Sequence, residues 1–129
     1  MSTNPFEKLI VEETQADNQM LADLLQHFVI FIKADKSMEF LPAFHKLSND
    51  LRILVLLAAS KAKASIFSQE ENLSPKNIID LEIAPEGSVK SSLKNLLDSK
   101  EIRSKMQKYY LPNYKISDLA EKLKQFKSK

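Results

Sequence analysis

The sequence predicts a mainly α-helical protein that carries a small β-hairpin near its C-terminal end. Three observations point there. Apolar residues recur at helical spacing in several separate stretches, proline and a lone glycine interrupt the chain between two of them, and two short β-prone runs stand side by side ahead of the last stretch.

The first stretch, residues 14–33, places Met20, Leu21, Leu24, Leu25 and Phe28 on one helical stripe. The β-branched and aromatic cluster from Phe28 to Ile32 then predicts that helix gives way to strand. Asp35-Lys36-Ser37 supplies a turn and residues 38–40 the returning strand. From Asp50 the run Leu51 to Ala59 is nearly all apolar, with Ser48 or Asn49 placed to cap it, and reads as a central core helix. It falls short of the ~20 apolar residues that a membrane span requires.

Residues 65–73 read as a polar linker. Ser74-Pro75 opens a short helix in the favoured order, a capping serine followed by proline at the first helical position, with Ile78, Ile79 and Leu81 expected inside. Pro85 breaks it, and Gly87, the single glycine of the chain, is expected in the turn. Ser88 is then placed to cap a longer helix, 88–99. Its residues Val89, Leu93, Leu96 and Leu97 share one face, and Lys90, Ser91, Lys94 and Asn95 share the other. Residues 101–103 and 108–111 form the expected hairpin, joined by Ser104-Lys105-Met106-Gln107. Residues 117–126 close the chain as an amphipathic helix through Leu119, Ala120, Leu123 and Phe126, with Ile116 just ahead of it.

A length of 129 residues suits one compact domain with an extension. Residues 1–47 read as an acidic N-terminal extension of helix plus hairpin, and residues 48–129 as a basic domain. With 43% hydrophobic and 28% charged residues the chain is expected to be soluble and folded. The absence of cysteine excludes disulfides, thiolate catalysis and sulfur-ligated metal sites. No signal pattern opens the chain, where Pro5 and Glu7 stand, so the expected compartment is the cytoplasm. His27 and His45 lack partners at ligand spacing, the pairs Glu12-Glu13 and Glu70-Glu71 do not converge, and one glycine cannot build a phosphate loop. Neither catalysis nor a metal or cofactor is therefore expected.

Charge is segregated along the chain. Residues 1–50 carry four lysines against eight carboxylates, whereas residues 88–129 carry eleven basic side chains against four acidic ones. Such an asymmetry favours a polyanionic partner for the C-terminal part.

The order of helix, short helix, Pro-Gly break, longer helix, hairpin and final helix over residues 50–125 resembles the winged helix-turn-helix superfamily of transcription regulators, especially its prokaryotic members. The resemblance is carried by Ser74-Pro75-Lys76-Asn77-Ile78-Ile79, by Pro85-Glu86-Gly87-Ser88-Val89-Lys90-Ser91-Ser92-Leu93-Lys94-Asn95-Leu96-Leu97-Asp98, and by Ile102 with the Tyr109-Tyr110 strand. Ile83-Ala84 and Lys100-Glu101 stand where that superfamily often carries glycine, so a reshaped backbone is expected there. The resemblance implies DNA binding by a transcription regulator. Helix 88–99 would enter the major groove and hairpin 102–111 would act as the wing, with no cofactor.

The residues so implicated are Ser88, Lys90, Ser91, Ser92, Lys94 and Asn95 on the helix and Arg103, Lys105, Gln107 and Lys108 on the wing. With only Arg52 and Arg103 as arginines, binding is expected to be lysine-dominated, salt-sensitive and modestly selective. The expected partners are double-stranded DNA and a second copy of the chain, paired through residues 14–33 and 117–126, with no membrane. The competing expectation is an interaction adaptor that binds a protein through residues 1–47, its winged helix being architectural.

Overall fold

The structure is a computed structural model that describes residues 5–6 and 18–127; at residues 126 and 127 only the backbone is described. Five helices and two antiparallel hairpins follow one another as α1 (Asn18–Leu25), β1 (Val29–Ile32), β2 (Ser37–Phe40), α2 (Asn49–Phe67), α3 (Pro75–Asp80), α4 (Glu86–Asp98), β3 (Arg103–Lys105), β4 (Lys108–Tyr110) and α5 (Ile116–Lys127). The protein is thus mainly helical, with small hairpins, as expected. Residues 14–17 and the side chain of Phe126 lie outside the described residues.

Helix α2 is the centre. Ser48 caps it, its Oγ accepting from the Leu51 amide at 3.3 Å. Every residue from Ile53 to Lys61 is buried. An amphipathic helix needs one covered face, whereas one that is apolar all round needs neighbours on every side. Those neighbours are α1, α4, α5 and the second hairpin. Each large side chain so buried contributes about 1.5–3 kcal/mol relative to exposure. Residues 65–67, expected in a linker, continue α2 to Phe67, and Ser68 ends it in the left-handed conformation at φ 56°.

The front of the chain joins the same core through Leu21, Leu24, Leu25, Phe28 and Val29. Helix α1 ends at Leu25, short of the 14–33 expectation, because the β-branched residues that follow pair instead, Val29 with Phe40 through Ile32 with Ser37. At the turn, the Asp35 carboxylate accepts from the Ser37 hydroxyl at 2.6 Å and from its amide at 3.1 Å. The hydroxyl bond, then the amide bond, hold that carboxyl below its ordinary value.

Helix α3 begins as expected. Ser74 accepts from the Asn77 amide, Asn77 returns a bond to the Ser74 amide, and Pro75 sits in the first turn. Of its expected core residues Ile78 is buried and Ile79 half-buried, but Leu81 is 41% exposed because the chain turns outward after Asp80. Helix α4 starts at Glu86 with Pro85 at the cap, so Ser88 lies within its first turn and does not cap it. Gly87 is helical rather than a turn former, its φ is not positive, and a Cβ there would meet nothing.

The left-handed residues sit elsewhere. Between α3 and α4 it is Glu82, at φ 56°, and after α4 it is Lys100, at φ 63°. The Lys100 amide donates to Leu97 O and the Glu101 amide to Leu96 O, both at 3.0 Å, the bond pair of a Schellman ending that usually holds glycine. Strand β3 therefore starts at Arg103, two residues later than expected. The expected four-residue connection shrinks to Met106-Gln107, at φ 53° and 64°, the φ signature of a type I′ turn. Leu73 forms a further, isolated bridge with Tyr109, its amide donating at 3.0 Å and its carbonyl accepting at 2.7 Å, so the chain ahead of α3 is bonded to the edge of the two-stranded hairpin.

Lys100→Gly is expected to raise unfolding stability by about 1 kcal/mol, because the left-handed penalty of a side chain disappears. Gly87→Ala is expected to add about 0.5 kcal/mol from helix propensity. Urea unfolding followed by circular dichroism checks both; a loss of stability in either variant contradicts the backbone assignment at that residue.

Candidate nucleic-acid interface

Helix α4 packs on α2 and α3 through Val89, Leu93 and Leu96, with Leu97 half-buried. Its helical repeat then turns Gly87, Lys90, Ser91, Lys94, Asn95 and Asp98 outward, all of them exposed. Lys90, Ser91, Lys94 and Asn95 are therefore brought together as expected. Ser92 is not among them. It is 5% exposed, one position round the helix on the core side, and cannot reach a groove. Ser88 is half-buried and marks the edge of the stripe. Lys90 pairs with Glu86 one turn earlier at 3.2 Å, both side chains being largely exposed, and such a surface pair contributes little to stability.

The second hairpin divides its side chains between two faces. Residues directly opposite in an antiparallel pair share a face, so Arg103, Lys105, Lys108 and Tyr110 lie on one side and Ser104 and Tyr109 on the other. Tyr109 turns toward α4 and, with Pro75, Lys90, Leu93, Lys94, Leu97 and Asp98, lines a trough of about 350 Å³. Lys105 and Tyr110 line a separate hollow of about 280 Å³ together with Lys61, Glu71, Asn72, Pro112 and Asn113. The expected basic residues thus form two groups on opposite faces of the hairpin.

Individual partners narrow the set further. The Arg103 guanidinium lies 5.6 Å from the Tyr114 ring centroid, and Lys108 pairs with Glu70 at 3.3 Å. Lys105, beside the turn, and Gln107, within it, are exposed. Arg52 is half-buried and engaged, donating to Ile83 O at 2.8 Å and to His45 O, where it ties α2 to the segment between α3 and α4. Glu101 is occupied by Lys122 and by the Ser99 hydroxyl.

Sequence reasoning missed Pro75 and Tyr109 as walls of the trough, and the exposed Lys76 next to Pro75 in the chain. The Ser74-Pro75 start was visible, but its position beside α4 depends on the Leu73–Tyr109 bridge, which joins residues far apart in the chain. Lys61 was missed as well. Its Nζ donates to Glu71 Oε2 at 2.6 Å and Asn113 Oδ1 at 2.5 Å, clasping the chain just before Leu73 and just after β4. Among the described residues no group of His, Cys, Asp or Glu could hold a metal ion, and no helix is long and apolar enough to cross a membrane. Comparison of the chain with protein families, curated proteins and solved structures finds no match.

Lys61→Ala is expected to cost about 2 kcal/mol, the loss of hydrogen bonds to a charged group, with faster amide exchange at Leu73 and Tyr109. Lys61→Met, which keeps the apolar stem, is expected to cost less. Equal exchange at those two amides in wild type and Lys61→Ala would show that the clasp does not hold the hairpin.

Proposed function

We propose that this protein binds double-stranded DNA as a transcription regulator, through a winged helix-turn-helix formed by α2 to α5. The observation that carries the reading is the outward stripe of α4, where Lys90, Ser91, Lys94 and Asn95 stand together without an apolar residue among them. Supporting it is the order of elements: α2, a single bridging residue at Leu73, α3, α4, then the β3–β4 hairpin bonded back to Leu73. On this reading α4 enters the major groove, Asn95 reads an adenine edge, and Lys90 and Lys94 bind phosphate. Exposed Lys76 extends the phosphate-binding surface from α3.

The wing contributes only near its tip, because Arg103 is engaged by Tyr114 and Lys108 by Glu70. The four lysines against eight carboxylates of residues 1–50 orient the front of the chain away from DNA. Homodimerisation belongs to the proposal, since two copies read two half-sites. The leucines of α1 and α5 expected to pair copies are buried within one chain, so pairing rests on the groove of about 610 Å³ between these helices. A sedimentation mass of one chain at micromolar protein removes that part.

An adaptor role is the second reading, favoured by the apolar floor of the trough, Leu93, Leu97 and Tyr109, and by Glu86 and Asp98 at the ends of the stripe. Duplex binding as a function of salt separates the two. Wild type is expected to bind at low salt with a log–log slope that falls by about 0.9 for each phosphate contact removed in the combined variant Lys90→Ala, Lys94→Ala, Lys105→Ala. Wild-type binding no tighter than that of the triple variant overturns the DNA reading. Ser92→Ala is expected to leave DNA affinity unchanged.

A further inference from the structure

The tip of the β3–β4 hairpin concentrates features that the fold does not require. Met106 is 87% exposed, the most exposed of the described large apolar side chains. It takes the first of two consecutive left-handed positions, at φ 53° ahead of Gln107 at φ 64°, where Asn-Gly fits without strain. Lys105 and Lys108 face each other across the last rung, and like charges directly opposite oppose strand closure. Glu70 offsets Lys108 at 3.3 Å, while Lys105 has no ion-pair partner among the described residues. Local choices that contradict the fold at one spot mark a place where an outside partner completes the structure.

The chemistry of that partner follows from the tip. An apolar side chain set between two cations fits a surface that is anionic along its rims and apolar between them. Duplex DNA has that cross-section in its minor groove, with phosphates on either side and stacked bases within. A two-residue turn is the narrowest end a β-ribbon offers, and a groove about 6 Å wide admits such a tip but not a helix.

We infer that Met106 is an apolar wedge that the hairpin carries into the minor groove, against a deformable pyrimidine–purine step, with Lys105 set toward a flanking phosphate. This role rests on the DNA-binding reading and adds to it a source of selectivity. The protein would favour sites by how readily a TA or CA step unstacks, not by arginine contacts to base edges. That suits a chain in which Arg52 is held by backbone carbonyls and Arg103 lies over Tyr114.

The test titrates the full chain, at low salt, against a duplex carrying 2-aminopurine in its TA and CA steps, and against an A-tract duplex that lacks such steps. Wild type is expected to prefer the first duplex and to raise its fluorescence through unstacking. Met106→Asn, which relieves the turn and raises the melting temperature, is expected to bind about fivefold or more weakly and to leave the fluorescence flat. Met106→Leu is expected to restore both signals.

Wild-type binding without a fluorescence rise, or equal affinity of wild type and Met106→Asn, overturns the wedge and leaves the DNA reading standing. No wild-type binding to either duplex overturns both. Loss of binding to phosphatidylglycerol vesicles in Met106→Asn, with DNA affinity unchanged, assigns the tip to a lipid surface and overturns the wedge.

Discussion

Burial of α2 on all sides is the constraint on which the rest of this structure depends. The segment from Ile53 to Lys61 has no face that can be left in water, so the chain must supply neighbours in every direction. The front helix, the turn-linked pair α3–α4, the second hairpin and the final helix are those neighbours. Helix α2 is also the longest element, with 19 residues. The short pieces around it, including the six-residue α3, owe their order to docking on it, since isolated helices of that length are marginal in water.

Two cations on α2 turn this packing into positioning. Arg52, near its start, reaches the carbonyl of Ile83 and so anchors the link between α3 and α4. Lys61, two and a half turns later, holds Glu71 and Asn113, which lie on either side of the Leu73–Tyr109 bridge. The helix that would meet a ligand and the hairpin that would flank it are therefore both referenced to one buried rod. Lys61 is buried and Arg52 half-buried, so removing the partners of Lys61 would strand its charge where there is little water.

The candidate surface is more divided than a count of basic residues implies. Hairpin alternation separates Tyr109, which closes the trough with α4, from Tyr110, Lys105 and Arg103 on the reverse face. Only the tip of the hairpin is free of that division, because a turn has no reverse face. Glu86, Glu70 and Glu101 each neutralise a lysine near the surface, which leaves Lys94 and Lys105 as cations of the expected set without an ion pair among the described residues.

The sequence by itself determined whatever rests on near neighbours in the chain. A cap at Ser48 or Asn49, the Ser74-Pro75 start of α3, the existence of both hairpins, the outward stripe of α4 and the charge segregation all follow from residues near one another in the chain. Only the tertiary structure decided which side of α4 claims Ser92, where the left-handed residues fall, and which lysines are free. Ser92 borders two faces on a helical wheel, and packing of α4 on its neighbours buries it. Glu82 and Lys100 bend where docking of α4 demands, although neither side chain favours that conformation. Arg52 and Lys61 find partners that are 31 and 52 residues away, respectively, only once the chain is folded. Periodicity carries no information about such distant contacts, and burial of a charge depends on nothing else.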